Sequence, residues 1–464
     1  MLRYADHRAH LDTIIRAALK AADPAEAVRR HWPEVDLGDA ERVFIVGAGK
    51  AGAAMAAAAA ELLGPRLARG VVAIPSSPPT SRLAPQTLHA SRVTPPDSRP
   101  NPAVMRVTFI PAGHPEPDSG SLQAGEAIAG LLNGVTEHDL VLALFSGGGS
   151  ALMELPAPGV TLEALQSLND GLLRSGAPVA DLNCVRKHLS RIKGGGLARL
   201  AAPARVVALI LSDVIGDPLD VIASGPTAPD PTTVADAQAI LNRRGQDDAA
   251  IASRLIETLK PGDLIFERVK NIVIGSNALA LQAAAGAARW LGFEVETPEL
   301  VVEGEAREWG ERLVASRDFL AAKDAENAEK ANKISAHSAF SAVSNDKTSA
   351  VILGGETTVT VRGSGVGGRN QELALAAALA LDGMRERIVI ASVGTDGIDG
   401  PTPAAGAWAT PDTAARARAL GLDAAAMLAN NDSHSFFAAL GDCLLTGPTG
   451  TNVNDLVIVL TYRD

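Results

Sequence analysis

Short apolar runs recur along the chain, and each is cut off by a cluster of glycine, serine or aspartate before helical periodicity begins. RVFIVGAGK opens at Arg42, DLVLALFSGGGS at Asp139, RVVALILSD at Arg205, NIVIGSN at Asn271 and RIVIASVGTDG at Arg387. The run from Leu140 to Phe145 lacks polar alternation, as a strand covered on both faces of a parallel sheet requires. Around Val43 to Val46 the pattern predicts a strand, then a tight turn, then a helix from about Ala51 to Leu63. Strands alternating with helices throughout predict layered α/β domains. The richest stretch is GGETTVTVRGSGVGGRNQELALAAALALDG, from Gly354 to Gly383. Its β-branched residues Thr357 to Val361 predict an extended segment. A glycine-rich loop follows to Gly368, then a helix from about Gln371 with Asn370 as its N-cap. LALAAALAL is apolar on every face, so this helix is expected to be buried.

The turns carry the candidate chemistry. Gly47, Gly49 and Gly52 form a GxGxxG pattern between strand and helix, which in a dinucleotide-binding domain is followed by an acid at the end of the next strand. Here that strand, GVVAIPSS, ends in Pro75 and Ser76. The missing acid argues against a dinucleotide, while Lys50, next to Gly49 inside the turn, is placed to neutralise a phosphate or a developing charge. Ser146, Gly147, Gly148, Gly149 and Ser150 offer a nest of backbone N–H groups suited to phosphate, without the lysine and spacing of a Walker loop. Asp213 ends the strand that starts at Arg205, where aspartates commonly hold magnesium in phosphoryl-transfer sites.

At the third glycine cluster, Gly368, Arg369 and Asn370 bring free helix N–H groups and a guanidinium together, an arrangement suited to an anion. Asp396 and Asp399 end the next strand as hard oxygen donors, and Glu356 lies just before the loop. The stretch Asp181 to Leu200 collects Arg186, Lys187, His188, Arg191 and Lys193, with residues 187 and 191 expected on one helix face. Such a patch can draw in an anionic substrate. His114, next to Pro115, is read as ordering its loop.

Composition narrows the partners. The chain has 464 residues, 47% hydrophobic and 20% charged, enough to bury the cores of two or three domains. Its net charge is −11 and its aromatic content 3%, which disfavours a nucleic-acid partner. No apolar run approaches the ~18 residues that span a bilayer, and no signal-peptide core opens the chain. A cytoplasmic protein is expected. The two cysteines, Cys184 and Cys443, are too few for a disulfide framework or a zinc site. Proline- and serine-rich residues between Pro75 and Pro102 predict an extended surface connection. The polar stretch from about Arg317 to Lys347 predicts exposed helix or a mobile excursion.

Taken together, VGAGKAG, SGGGSAL, NCVRKHLSRIKGGGLA, LSDVIGDPLDVIASGPT, GGETTVTVRGSGVGGRNQELALA, GTDGIDGPTPAAGA and TGPTGTNVNDL resemble the successive motifs of the bacterial-type glycerate 2-kinase family, whose C-terminal part is the MOFRL domain. The resemblance runs from about Arg42 to the end. It implies a larger Rossmann-like N-terminal domain, taken as residues 1–265, and a smaller C-terminal α/β domain, taken as 266–464, with the site in a cleft between them. It implies transfer of the ATP γ-phosphoryl group to the 2-hydroxyl of D-glycerate with Mg²⁺. It also implies that Lys50 and Arg369 are the central pair. On this reading Gly49, the loop Ser146 to Ser150, Arg186, Lys193, Gly368 and Asn370 bind substrate or phosphate, and Asp213, with Glu356 or Asp396, holds the metal. Two alternatives stay open: a hydroxypyruvate reductase using a nicotinamide cofactor, and a non-catalytic nucleotide or sugar-acid binding protein. The substrates expected are small molecules, and self-association into a homo-oligomer is left open.

Overall fold

The computed structural model describes residues 2–76, 101–246, 248–321 and 348–463. Most of the expected proline-serine connection, and the expected polar excursion from residue 322 onward, lie outside these residues. Contacts divide the chain into two units: Pro24–Gly275, and Met1–Asp23 together with Ser276–Asp464. The ten residues 266–275, assigned by the sequence to the second domain, thus carry the last strand of the first sheet.

In the Pro24–Gly275 unit, β1 (Arg42–Ala48), β2 (Leu67–Pro75), β3 (Val107–Ala112), β4 (Asp139–Phe145), β5 (Arg205–Leu211) and β6 (Val269–Gly275) form one sheet. Their order is β3-β2-β1-β4-β5-β6, every neighbouring pair parallel. This is the order of a doubly wound sheet, which binds ligands beyond the carboxyl ends of its strands. Every residue of β4 is buried, and so are all of β1 except Arg42. That explains their lack of polar alternation. The helix Gly52–Leu63 is alanine-rich and buried along most of its length. The helix Ser119–Leu132 starts at a capping box in which Asp118 and Ser121 satisfy each other's backbone N–H groups.

The other unit is built on β7 (Glu294–Glu296), β8 (Val301–Glu305), β9 (Ser349–Thr358), β10 (Arg387–Gly394), β11 (Gly406–Ala409), β12 (Cys443–Leu444) and β13 (Asp455–Tyr462). The order is β12-β11-β10-β13-β9-β7, with β8 also beside β9. From β9 to β12 all pairs are antiparallel, whereas β7 and β8 run parallel to β9. Of the β-branched segment expected to be extended, Thr357 to Val361, only Thr357 and Thr358 lie in β9, which begins at Ser349 because SAVILGG is the part that pairs with β13. As expected, the helix Arg369–Ala380 is buried on nearly every side, packed against the helix Ala306–Ala321 and the sheet. The N-terminal helix His7–Ala21 also belongs here, lying against the helix Asn277–Leu291. Among the described residues, no helix is long and apolar enough to cross a membrane.

Candidate active site

In the Pro24–Gly275 unit the turns after β1 and β4 are laced together. The Lys50 amide donates to the Gly147 carbonyl at 2.9 Å, and the Ala51 amide donates to Ser146 Oγ at 3.0 Å. Gly49 has φ 149°, and a methyl group there would stand 2.0 Å from Ser146 Oγ. Only glycine fits so close an approach. At Gly147 an added methyl would stand 2.3 Å from Asp213 Oδ2, and at Gly148 (φ 81°) 2.7 Å from the His114 ring and 3.6 Å from Lys50 Cε. The glycine turn is therefore bordered by an ammonium, an imidazole and a carboxylate, from three different loops.

Lys50 is exposed and makes no ion pair among the described residues. Partial burial and, second, the Lys50 charge hold the His114 pKa below the ordinary imidazole value, so the ring is neutral at neutral pH. Sequence reasoning gave His114 only the role of ordering its loop; its place beside Gly148 comes from the fold. Ser150 Oγ lies 2.7 Å from Ser224 Oγ. Ala223 and Ser224 have φ of 51° and 61°, a left-handed backbone in non-glycine residues that is characteristically retained where a site requires it.

The basic stretch is mostly internal, contrary to the expected surface patch. The helix Val179–His188 ends before Arg191, so residues 187 and 191 share no helix face. Lys187 is buried against Asp230 at 2.7 Å, and Lys193 is buried against Glu154, which also accepts from Ser190 Oγ at 2.6 Å. Burial pushes the Lys193 pKa down, with Glu154 opposing. Lys193 is thus the partner of Glu154. Arg186 differs: its Nε donates to Asn169 Oδ1 at 2.8 Å, and Glu154 acts on it only from beyond ion-pair distance.

In the second unit, Arg369 sits between two carboxylates. Its Nε and Nη2 donate to Asp455 at 2.6 and 3.0 Å, and Nη1 lies 2.7 Å from Glu356 Oε1. Glu356 Oε2 also accepts from Asn454 Nδ2 at 3.2 Å. Burial pushes the Asp455 carboxyl up to about 6, even with Arg369 opposing. In the sequence Asp455 stands out only as part of the TGPTGTNVNDL motif; its pairing with Arg369, 86 residues away, had no local signal.

The helix beginning at Arg369 is capped differently from expectation. Its N-cap is Gly368, and Asp399 reaches across to accept the backbone N–H of Asn370 at 3.0 Å and of Gln371 at 2.8 Å. The side chain of Asn370 is buried, accepting from Ser392 Oγ at 2.6 Å and donating to Asp399. The N–H groups expected to open toward an anion are therefore already satisfied by a protein carboxylate. A cavity of about 740 Å³ lies beside this end, lined by Arg369, Gly368, Asp396, Ile398, Val359 and Thr357 among others. Asp396 Oδ1 accepts the Ile398 amide at 3.0 Å.

Among the described residues no group of three or more His, Cys, Asp or Glu is arranged to hold a metal. Mg²⁺ in phosphoryl-transfer sites keeps waters and phosphate oxygens and needs one or two carboxylates from the protein. Asp213, against the Gly147 backbone, fits that requirement. Glu356 is first the partner of Arg369.

A doubly wound sheet with a cation and an acid around its central glycine turn is the equipment of a small-molecule phosphotransferase. Residues 10–260 match a family model described as a domain of unknown function (DUF4147), and residues 349–455 match the MOFRL family. The D-glycerate 2-kinase of Thermotoga maritima is 40% identical over 447 residues, covering 96% of each chain. A crystal structure of glycerate kinase from the same organism superposes with TM-score 0.81 at 37% identity, covering 99% of this chain and 100% of that one. A putative hydroxypyruvate reductase of Agrobacterium vitis is 40% identical over 462 residues, covering 97% of this chain and 93% of its own. The chain belongs to the glycerate 2-kinase family and is a kinase.

Proposed function

We propose that this kinase transfers the γ-phosphoryl group of ATP, bound with Mg²⁺, to the 2-hydroxyl of D-glycerate, giving 2-phosphoglycerate and ADP. The observation that carries this reading is the exposed Lys50 ammonium beside the Ser146 to Ser150 turn. Phosphoryl transfer asks a protein chiefly to position the reactants and neutralise charge. The turn amides and Lys50 would hold the migrating phosphoryl group. Arg369, with its orientation fixed by Asp455 and Glu356, would be the second catalytic cation. Asp213 would hold Mg²⁺, which supplies charge neutralisation when bound, or would orient the hydroxyl. Glu356 and Asp396 are secondary candidates for the metal. The substrates are small and soluble, and both cysteines are free thiols, consistent with work in the cytoplasm.

A reductase reading has one relative of that name in its favour. Against it, β2 ends in Pro75, so no acid stands where a nicotinamide cofactor's ribose would be read. A coupled assay decides. ADP release on adding D-glycerate to enzyme and MgATP, with phosphorus NMR showing the 2-phosphate, supports the proposal. NADH oxidation with hydroxypyruvate in place of ADP release overturns it.

A further inference from the structure

The three side chains that border the turn Ser146 to Ser150 differ in what they can do with a proton. Lys50 is an exposed ammonium and has no lone pair to offer. Asp213, beside Gly147, is the carboxylate that fits Mg²⁺, and a carboxylate serves a metal only while it stays unprotonated. His114 remains. It is an exposed residue, and among the described residues neither ring nitrogen has a hydrogen-bond partner. An added methyl on Gly148 would stand 2.7 Å from His114 Cδ2 and 2.9 Å from Nε2. The Nε2 edge of the ring is therefore turned toward the glycine turn.

The loop holds the ring in that place. Gly113 donates its amide to Asp118 Oδ1 at 2.8 Å, and Asp118 with Ser121 caps the helix Ser119–Leu132. A methyl on Gly113 would stand 2.4 Å from the Glu116 carbonyl oxygen, so the chain turns tightly between the end of β3 and that helix. His114 is thus presented from two regular elements, as a member of a catalytic constellation must be. Of the charged groups around it, Lys50 faces the ring from the turn after β1, and Asp213 lies against the neighbouring Gly147. On its own loop Asp118 is engaged in the capping box, and Glu116 is exposed. Partial burial against the turn, and then Lys50, hold the imidazole below its ordinary pKa. At neutral pH one ring nitrogen therefore keeps its lone pair.

We propose that His114 is the general base of the reaction, its Nε2 taking the proton of the acceptor hydroxyl. This rests on the kinase reading, in which the migrating phosphoryl group lies at the turn. As the acceptor oxygen bonds to the γ-phosphorus, the bond from that phosphorus to the β–γ bridging oxygen breaks, and the bridging oxygen leaves with the electron pair as part of ADP. The hydroxyl proton passes to Nε2, and the imidazolium then gives it to water. The nearby Lys50 charge favours that return.

The test is the pH dependence of kcat/KM for D-glycerate, read as ADP release with MgATP saturating, for the wild type, His114→Gln and His114→Asn. The acidic limb of that profile reports the base of the free enzyme, and its midpoint is expected below about 6.5. The His114 Cε1–H proton resonance of the ligand-free protein, identified by its loss in the variants, should titrate with the same midpoint. Both variants should lose the limb and about 100-fold of the plateau rate, with an unchanged urea unfolding midpoint because the residue is exposed. A limb that persists in whichever variant keeps the wild-type unfolding midpoint, or a resonance that titrates away from the limb, overturns the general base and leaves the kinase reading intact. A wild type that releases no ADP with D-glycerate overturns both.

Discussion

Lys50 and Arg369 carry the same local signature, a cation at the end of a glycine turn where a helix begins, yet the two environments are opposite. Lys50 stands exposed without an ion pair among the described residues. Arg369 is held by Asp455 and Glu356. The first is a charge available to a ligand. The second is an oriented fork whose charge is already answered within the protein, and it influences a ligand through geometry and through whatever displaces or protonates its partners. One sequence pattern thus yields two kinds of cation, and carboxylates distant in the chain decide which.

This contrast can be broken by experiment. Lys50→Met should lower turnover about 10³-fold, the scale for losing a preorganised charge in phosphoryl transfer, while leaving the urea unfolding midpoint unchanged. A variant that also loses stability would show that Lys50 has structural work like that of Arg369. Arg369→Ala should lower turnover about 100-fold and cost about 3 kcal/mol of stability, since it strands the buried Asp455; parallel ADP-release and urea measurements separate the two effects. Gly147→Ala forces a methyl against Asp213 and is expected to cost about tenfold in turnover by shifting the carboxylate, at a stability cost of about 1–3 kcal/mol from overpacking. An unaffected enzyme would remove Asp213 from the site.

The smallest effect concerns pH. Because burial raises the Asp455 carboxyl to about 6 in the folded protein, above its ordinary value, the stability it contributes is fully present below about pH 4 and is lost as pH rises through 6. The destabilisation caused by Asp455→Asn should therefore shrink by roughly 2 kcal/mol between pH 4 and pH 7. A constant difference across that range would mean that Asp455 ionises as an ordinary carboxylate.

The layout of the strands was legible because burial on both faces writes itself as an uninterrupted apolar run, as in β4. The burial of the helix Arg369–Ala380 was legible for the same reason. Local pattern failed wherever a partner lay far along the chain. Asn370 is a favoured capping residue, yet Asp399, 29 residues on, provides the cap. Lys187 and Lys193 are ordinary surface types, but Asp230 and Glu154, 43 and 39 residues away, draw them inside. The β-branched run after Gly355 favours a strand, but register with β13 places most of β9 upstream. The glycine turns were visible, and their necessity was not: it comes from Ser146, Asp213 and His114 pressing on backbone that the sequence does not show as close.

The first 23 residues pack in the unit completed by residues 276–464. During synthesis the helix His7–Ala21 leaves the ribosome while its docking partner, the helix Asn277–Leu291, does not yet exist. At ~5–20 residues per second the intervening stretch takes on the order of ten seconds or more to appear. For that interval the apolar side of the nascent segment has no native neighbour, and slower translation would lengthen its exposure to aggregation.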